Sequence, residues 1–429
     1  MNRSDLETGV LPASSLETGG AGWGRRDGGL LDRRLFLGLS ALAVTARPAL
    51  SFAKGKGESK LDLARHERGR VLRAARGYVK EKPVTITASS SPLSAGGKND
   101  FFSQADYWWP DPKNPKGPYI HRDGESNPKN FVQHRLAMRR LSVQMPALTA
   151  AWLLTRKKNF ADRAADHLRA WFIDSETKMA PHLKYSQAII GKVTGRRVGV
   201  IDTIHLVEVA RAADLLETSG ALSKSDATGT RAWFEEYLHW LNTHEYGTEE
   251  RDAKNNHGTC WVQQAAEFGR YTRNAKMTKE CRDRFKTILI PNQMAPDGGF
   301  PEELRRTKPY GYSLFNLDIL GSVAQILSTP NENLWTFELP DGRGMRKGLE
   351  FLYPFVADKK KWPKKPDIMY WDEWPIRHPF LVFGGLALEE PKYIALWKKL
   401  EGDPKTPEVI RNFPIRQPLL WVDQDLPVV

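Results

Sequence analysis

The chain has 429 residues, 40% of them hydrophobic and 27% charged, with a formal net charge of +13. That length and balance describe a soluble globular protein with room for a sizeable core, and exclude disordered and collagen-like chains. The charge favours anionic partners, so nucleic acid, acidic polysaccharide and anionic membrane stay open. Two cysteines, Cys260 and Cys281, cannot build a disulfide framework; they allow one bridge, and two buried thiols are the expected reading.

In chain order, residues 32–53 come first. Arg33 and Arg34 precede Leu35-Phe36-Leu37, a short apolar run follows to Ala46, and Ser51-Phe52-Ala53 fits a small-x-small cleavage site. This order predicts a twin-arginine export leader over residues 1–53, with an apolar run too short to span a bilayer permanently. The remaining chain is then expected in the periplasm or secreted, with no stable membrane insertion after the leader is removed. Apolar residues at three-to-four spacing predict helices over Leu61–Lys80, Gln133–Thr155, Ala161–Ile173, Ile201–Thr218 and Thr228–Thr243. The series continues over Gly258–Tyr271, Met277–Ile290, Tyr312–Leu327, Met345–Val356 and Pro379–Leu400. Val84–Ala88 (VTITA) is the clearest alternation and reads as a strand. Paired helices with one face buried, and no long polar linker, predict one all-α domain over residues 54–429, an array or toroid.

Residues 254–272, KNNHGTCWVQQAAEFGRYT, set Asn255, Asn256 and His257 ahead of an apolar helical stripe. An Asn can simply cap a helix. A partner segment lies at residues 295–317, where Arg305, Arg306, Tyr310 and Tyr312 stand at the entrance of another helix. If the two segments face each other, the set suits removal of a carbon-bound proton beside a sugar carboxylate. The C5 proton of a uronate is weakly acidic, and Arg, Asn and His donors around the carboxylate stabilise the charge that develops. A base takes that proton and an acid protonates the departing glycosidic oxygen. A tyrosine can fill either role or both. His257 can be base or carboxylate neutraliser, and the helix dipole biases it towards neutral.

Two further loops carry candidate binding residues. In residues 106–131, Trp108, Trp109 and Tyr119 can stack on sugar faces or plug the loop, and Arg122 can hold a flanking carboxylate. In residues 180–203, His182, Tyr185 and Gln187 are expected on the cleft wall. Arg197, with Arg196, either binds carboxylates or fixes its own loop. The alternatives are weaker. A glycoside hydrolase needs two carboxylates across the bond, and Asp297, Glu302, Glu303, Asp372 and Glu373 offer no convincing pair. A non-catalytic polysaccharide binder has no need of Asn256, His257 and Tyr312. No nucleic-acid motif and no zinc-ligand spacing is present.

The segments YWWPDP, NPKGPYIHRDG, NNHGTCW, DGGFPEELRRT with YSLFNL, and YWDEWP follow in one order across about residues 100–390. Together they resemble the alginate lyase family of polysaccharide lyases. The resemblance implies an incomplete (α/α) toroid with a central cleft, an anionic polysaccharide as partner, and β-elimination with no metal or cofactor. By position it implies Asn256 and His257 as the family's Asn-His pair and Tyr312 as its catalytic tyrosine. Arg306 fits the family position counted from Glu303, whereas Arg305 meets the longer arginine-to-tyrosine spacing; the ELRRT reading favours Arg306. The YWWPDP-containing branch resembles lyases of several polyuronates, glucuronan included, with alginate the leading substrate.

Overall fold

The computed structural model describes residues 61–422 and is mainly helical. The expected leader lies outside the described residues. Side-chain caps set several helix starts by accepting backbone N–H groups that the first turn leaves unpaired. Asp62 starts α1 (Leu63–Tyr78), and α2 (Gln133–Thr155) and α3 (Lys158–Leu168) follow. Next come α4 (Leu206–Thr218), α5 (Lys224–Thr243) capped by Ser223, and α6 (Glu245–Arg251). Asn255 caps α7 (Asn256–Tyr271), and Asn274 caps α8 (Ala275–Arg284). Proline sits in the first turn of α9 (Ile290–Gln293), α10 (Pro301–Leu304) and α11 (Pro309–Leu327), where its missing N–H costs nothing. The last are α12 (Met345–Ala357), α13 (Pro379–Ala387), α14 (Pro391–Lys399) and α15 (Pro407–Arg411).

Packing sorts these helices into two layers. An inner series runs α2, α4, α7, α11, α13, each packed on the next. Outside it, α1 and α3 flank α2, α5 flanks α4 and α7, α8 flanks α7, α12 flanks α11 and α13, and α14 flanks α13. The inner position explains α11, whose 19 residues are all buried, tyrosines and Asp318 included. Truncating one of its core leucines, such as Leu317, to Ala should cost about 2–5 kcal/mol. The C-terminal turn Pro418–Leu420 packs on α1, α2 and α4, while Trp421 accepts from Gln325 of α11 and meets Phe383 of α13. That segment links the first and last inner helices of an (α/α) toroid.

Short strands tie the loops together. Strand β1 (Phe102–Gln104) pairs in parallel with β4 (Tyr185–Ala188), and β2 (Trp108–Trp109) pairs antiparallel with β3 (Ile120–His121). Two local expectations are corrected. The VTITA stretch is no strand: Ile86–Ala88 forms a 3-10 turn, with Thr85 capping it and Ile86 buried beneath. The single helix expected over Pro379–Leu400 breaks at residues 388–390, where Glu389 takes φ +56° and Pro391 restarts the chain as α14. Cys260 and Cys281 are buried free thiols. Among the described residues no helix is long and apolar enough to cross a membrane.

Candidate active site

The first turn of α7 carries Asn256 and His257 because Asn255 takes the cap. Its side-chain oxygen accepts the His257 N–H, and Gly258 then lets the turn press against residue 253, where a Cβ would stand 2.2 Å from the Ala253 carbonyl oxygen. Asn256 donates its backbone N–H at 2.8 Å and its side-chain Nδ2 at 2.6 Å to the two oxygens of Glu303 on α10. Burial pushes the Glu303 carboxyl up, while these two donors favour its ionised form. His257 Nδ1 bonds Glu250, a fully buried carboxylate that also accepts from Arg197 at 2.9 Å. An ionised Glu250 fixes the proton on Nδ1 and leaves Nε2 as the acceptor.

The turn before α11 brings the second half. Arg306 makes a two-pronged pair with Asp123, at 3.1 and 2.5 Å, and its guanidinium lies 4.7 Å from the Tyr312 ring centroid. Burial opposes ionisation of Asp123, yet Arg306 and Thr307 hold its carboxyl below the usual range. The Tyr312 phenol sits 2.7 Å from the phenol of Tyr107. Burial pushes Tyr312 well above an ordinary tyrosine. A phenol held protonated in this way is competent to donate.

Asn256, His257, Arg306 and Tyr312 line one cleft of about 260 Å³. Tyr107, Trp108, His121, Gln187, Arg196, Arg197, Arg411 and Asn412 complete most of its wall. Among the described residues four guanidinium groups and one carboxylate, Asp106, line it; Asp123, Glu250 and Asp106 pair with Arg306, Arg197 and Arg411, while Arg196 bonds Gln187. Burial lowers Arg196 to about 10, which leaves it charged at neutral pH. The cleft is therefore an anion site with an imidazole and a phenol inside it. Among the described residues no group of three or more His, Cys, Asp or Glu is placed to hold a metal ion.

The family model for alginate lyase matches residues 85–362. The chain belongs to the alginate lyase family. It is a polysaccharide lyase acting on alginate-like polyuronate. A crystal structure of an alginate lyase from Bacteroides ovatus is 30% identical, with 83% of this chain and 94% of that chain covered and a TM-score of 0.70. Alginate lyase A1-III, from Sphingomonas species A1, shares the fold at a TM-score of 0.51. That comparison uses a histidine-to-alanine variant complexed with tetrasaccharide, 13% identical, and covers 84% of this chain and 94% of that one. No curated protein matches the chain.

The remaining candidates of this lyase divide between cleft and scaffold. Trp108, Gln187 and Arg197 line the cleft, Trp108 with Lys192 4.6 Å from its ring centroid. Gln187 takes φ +56° and accepts from Arg196 at 3.2 Å through its side chain. Arg305 points elsewhere: it is exposed, pairs with Glu302 and does not line the cleft. Tyr310 is core, donating to the Phe355 carbonyl at 3.0 Å between Trp362 and Trp371. Trp109 and Arg122 stack on each other outside the lining, and Tyr119 is half-buried there too. His182 pairs with Asp100 at 3.2 Å, and Tyr185 packs its ring against Gly96, both away from the cleft.

Several site residues have no assigned cleft role in the sequence. Tyr107, His121 and Asp123 sit inside the quoted motifs, and Glu303 three residues before Arg306, so motif membership was the available signal. Arg411 carries no local signal, because only the fold brings it to the cleft, whereas Glu250 stands seven residues before His257 and Lys308 four before Tyr312.

Proposed function

We propose that this cleft cleaves a 1,4-linked uronate polymer, alginate or a relative such as glucuronan, by β-elimination. Asn256 and Arg306 neutralise the carboxylate of the sugar that loses its C5 proton, with Asn256 held in orientation by Glu303. His257 takes the C5 proton on Nε2, the nitrogen left free by Glu250. The C5–H electrons form the C4=C5 double bond, the C4–O bond opens, and Tyr312 gives its proton to the departing oxygen. The products are a new reducing end and a 4,5-unsaturated uronate. Arg196, Arg197 and Arg411 attract the neighbouring carboxylates of the polymer.

One observation carries this reading: the Asn-His pair of α7, Arg306 of the turn before α11 and Tyr312 of α11 line the same cleft. A hydrolytic reading lacks support, since among the described residues Asp106 is the only lining carboxylate and is held by two arginines. We further propose that residues 1–53 export the enzyme through the twin-arginine leader, towards the polymers it degrades. The test is a panel of polymannuronate, polyguluronate and glucuronan followed in the ultraviolet. At least one polymer should yield the conjugated product, and Tyr312→Phe should abolish it while binding persists. Normal turnover in that variant would remove Tyr312 from the chemistry.

A further inference from the structure

Lys308 is buried immediately ahead of α11, behind the cleft. It donates to Glu408 at 3.1 Å, and its ammonium lies 5.1, 5.2 and 5.4 Å from the ring centroids of Tyr107, Tyr312 and Tyr370. Arg411 approaches the second Glu408 oxygen at 3.4 Å. Burial opposes the lysine's charge, but Glu408 and Tyr107 favour it and hold the group protonated. An apolar side chain would fill this space without the desolvation cost of an ion pair, so packing alone does not account for the lysine.

We propose that Lys308 is a positioning residue for the elimination, its fixed charge stabilising the phenolate that Tyr312 becomes on donating its proton. This inference rests on the acid role of Tyr312. In that step the Tyr312 O–H bond breaks, the proton joins the glycosidic oxygen as C4–O opens, and the electron pair stays on the phenol oxygen. A phenolate formed in a buried site needs preorganised positive charge. Arg306, paired with Asp123, supplies part of it 4.7 Å from the Tyr312 ring centroid, and Lys308, paired with Glu408, adds a second cation from behind. The groups facing Tyr312 are Tyr107, Arg306 with Asp123, Lys308 with Glu408, and Arg411. Tyr370 and Asp367 lie behind, and His257 and His121 share the cleft. Among the described residues only Lys308 places a cation over the rings of both members of the Tyr107–Tyr312 phenol pair.

The test is kcat and KM across pH on a cleaved polyuronate for Lys308→Met and Lys308→Arg. Loss of the cation raises the phenol pKa. The Met variant should therefore lose about ten- to a hundredfold in kcat with KM nearly unchanged. Arg should restore most of kcat. If Lys308→Met fails to fold, Lys308→Gln keeps a polar side chain beside Glu408 without the charge and should show the same loss. Wild-type kcat in a folded Met or Gln variant overturns the inference, as does an Arg variant no better than Met. An inactive Tyr312→Phe alongside those results leaves the elimination reading standing and removes only the role of Lys308.

Discussion

The phenol oxygens of Tyr107 and Tyr312 lie 2.7 Å apart, although the residues are 205 positions apart in sequence. One hydroxyl therefore donates to the other, and the orientation of Tyr312 depends on a loop residue. Tyr107→Phe should leave the fold intact and lower kcat by roughly threefold to tenfold, the value of one hydrogen bond. Release of unsaturated product measures this directly, and an unchanged kcat would show that Tyr312 is oriented without Tyr107.

Adjacent arginines should behave in opposite ways. Arg306 meets Tyr312 and lines the cleft, whereas Arg305 is exposed and bound to Glu302. Arg306→Ala is expected to cost about a hundredfold or more in kcat/KM, as loss of a charged donor at developing charge does. Arg305→Ala should stay within about twofold, because an exposed ion pair contributes little. Equal losses from the two would contradict this arrangement.

Glu303 holds Asn256 through two hydrogen bonds. Glu303→Gln swaps one acceptor for a donor that faces another donor. A stability loss of about 1–3 kcal/mol is expected from the unpaired buried group. A fall of about a hundredfold in kcat should accompany it as the amide loses its aim. Denaturant melts and kinetics on the same preparation separate the two effects. Activity retained at wild-type level would show that Asn256 needs no such anchor.

Glu208 gives a pH dependence of stability whose sign follows from burial. Desolvation raises its carboxyl from 4.5 to about 7, against hydrogen bonds from Arg416, Gln417 and Trp421. Between those values the folded chain binds more protons than the unfolded chain, so stability is fullest below pH 4.5 and falls as pH rises through about 7. The span corresponds to about 3 kcal/mol. Melting temperatures of the wild type should therefore fall between pH 4.5 and 8 relative to Glu208→Gln. Parallel curves for the two proteins would refute it.

Local chemistry made much of this protein legible. Gln133–Thr155 is the helix that its spacing predicts, and α7 begins at an Asn cap because a side-chain oxygen can reach an unpaired N–H two residues on. Those signals depend on neighbours in the chain, so they survive without a fold. VTITA misled because two-residue alternation describes side chains, whereas a strand also needs a partner to take its backbone hydrogen bonds.

The choice among similar residues belonged to the tertiary structure. Tyr310 and Tyr312 share the first turn of one helix, about 200° apart around its axis, so only one can face the cleft. Sequence gives that separation but not the direction of the toroid's centre. Packing of α11 against its neighbours turns Tyr310 towards Trp362 and Trp371 and Tyr312 into the cleft. Tyr107 meets Tyr312 and Asp123 meets Arg306 across the fold, and no periodicity records a meeting between residues so far apart along the chain.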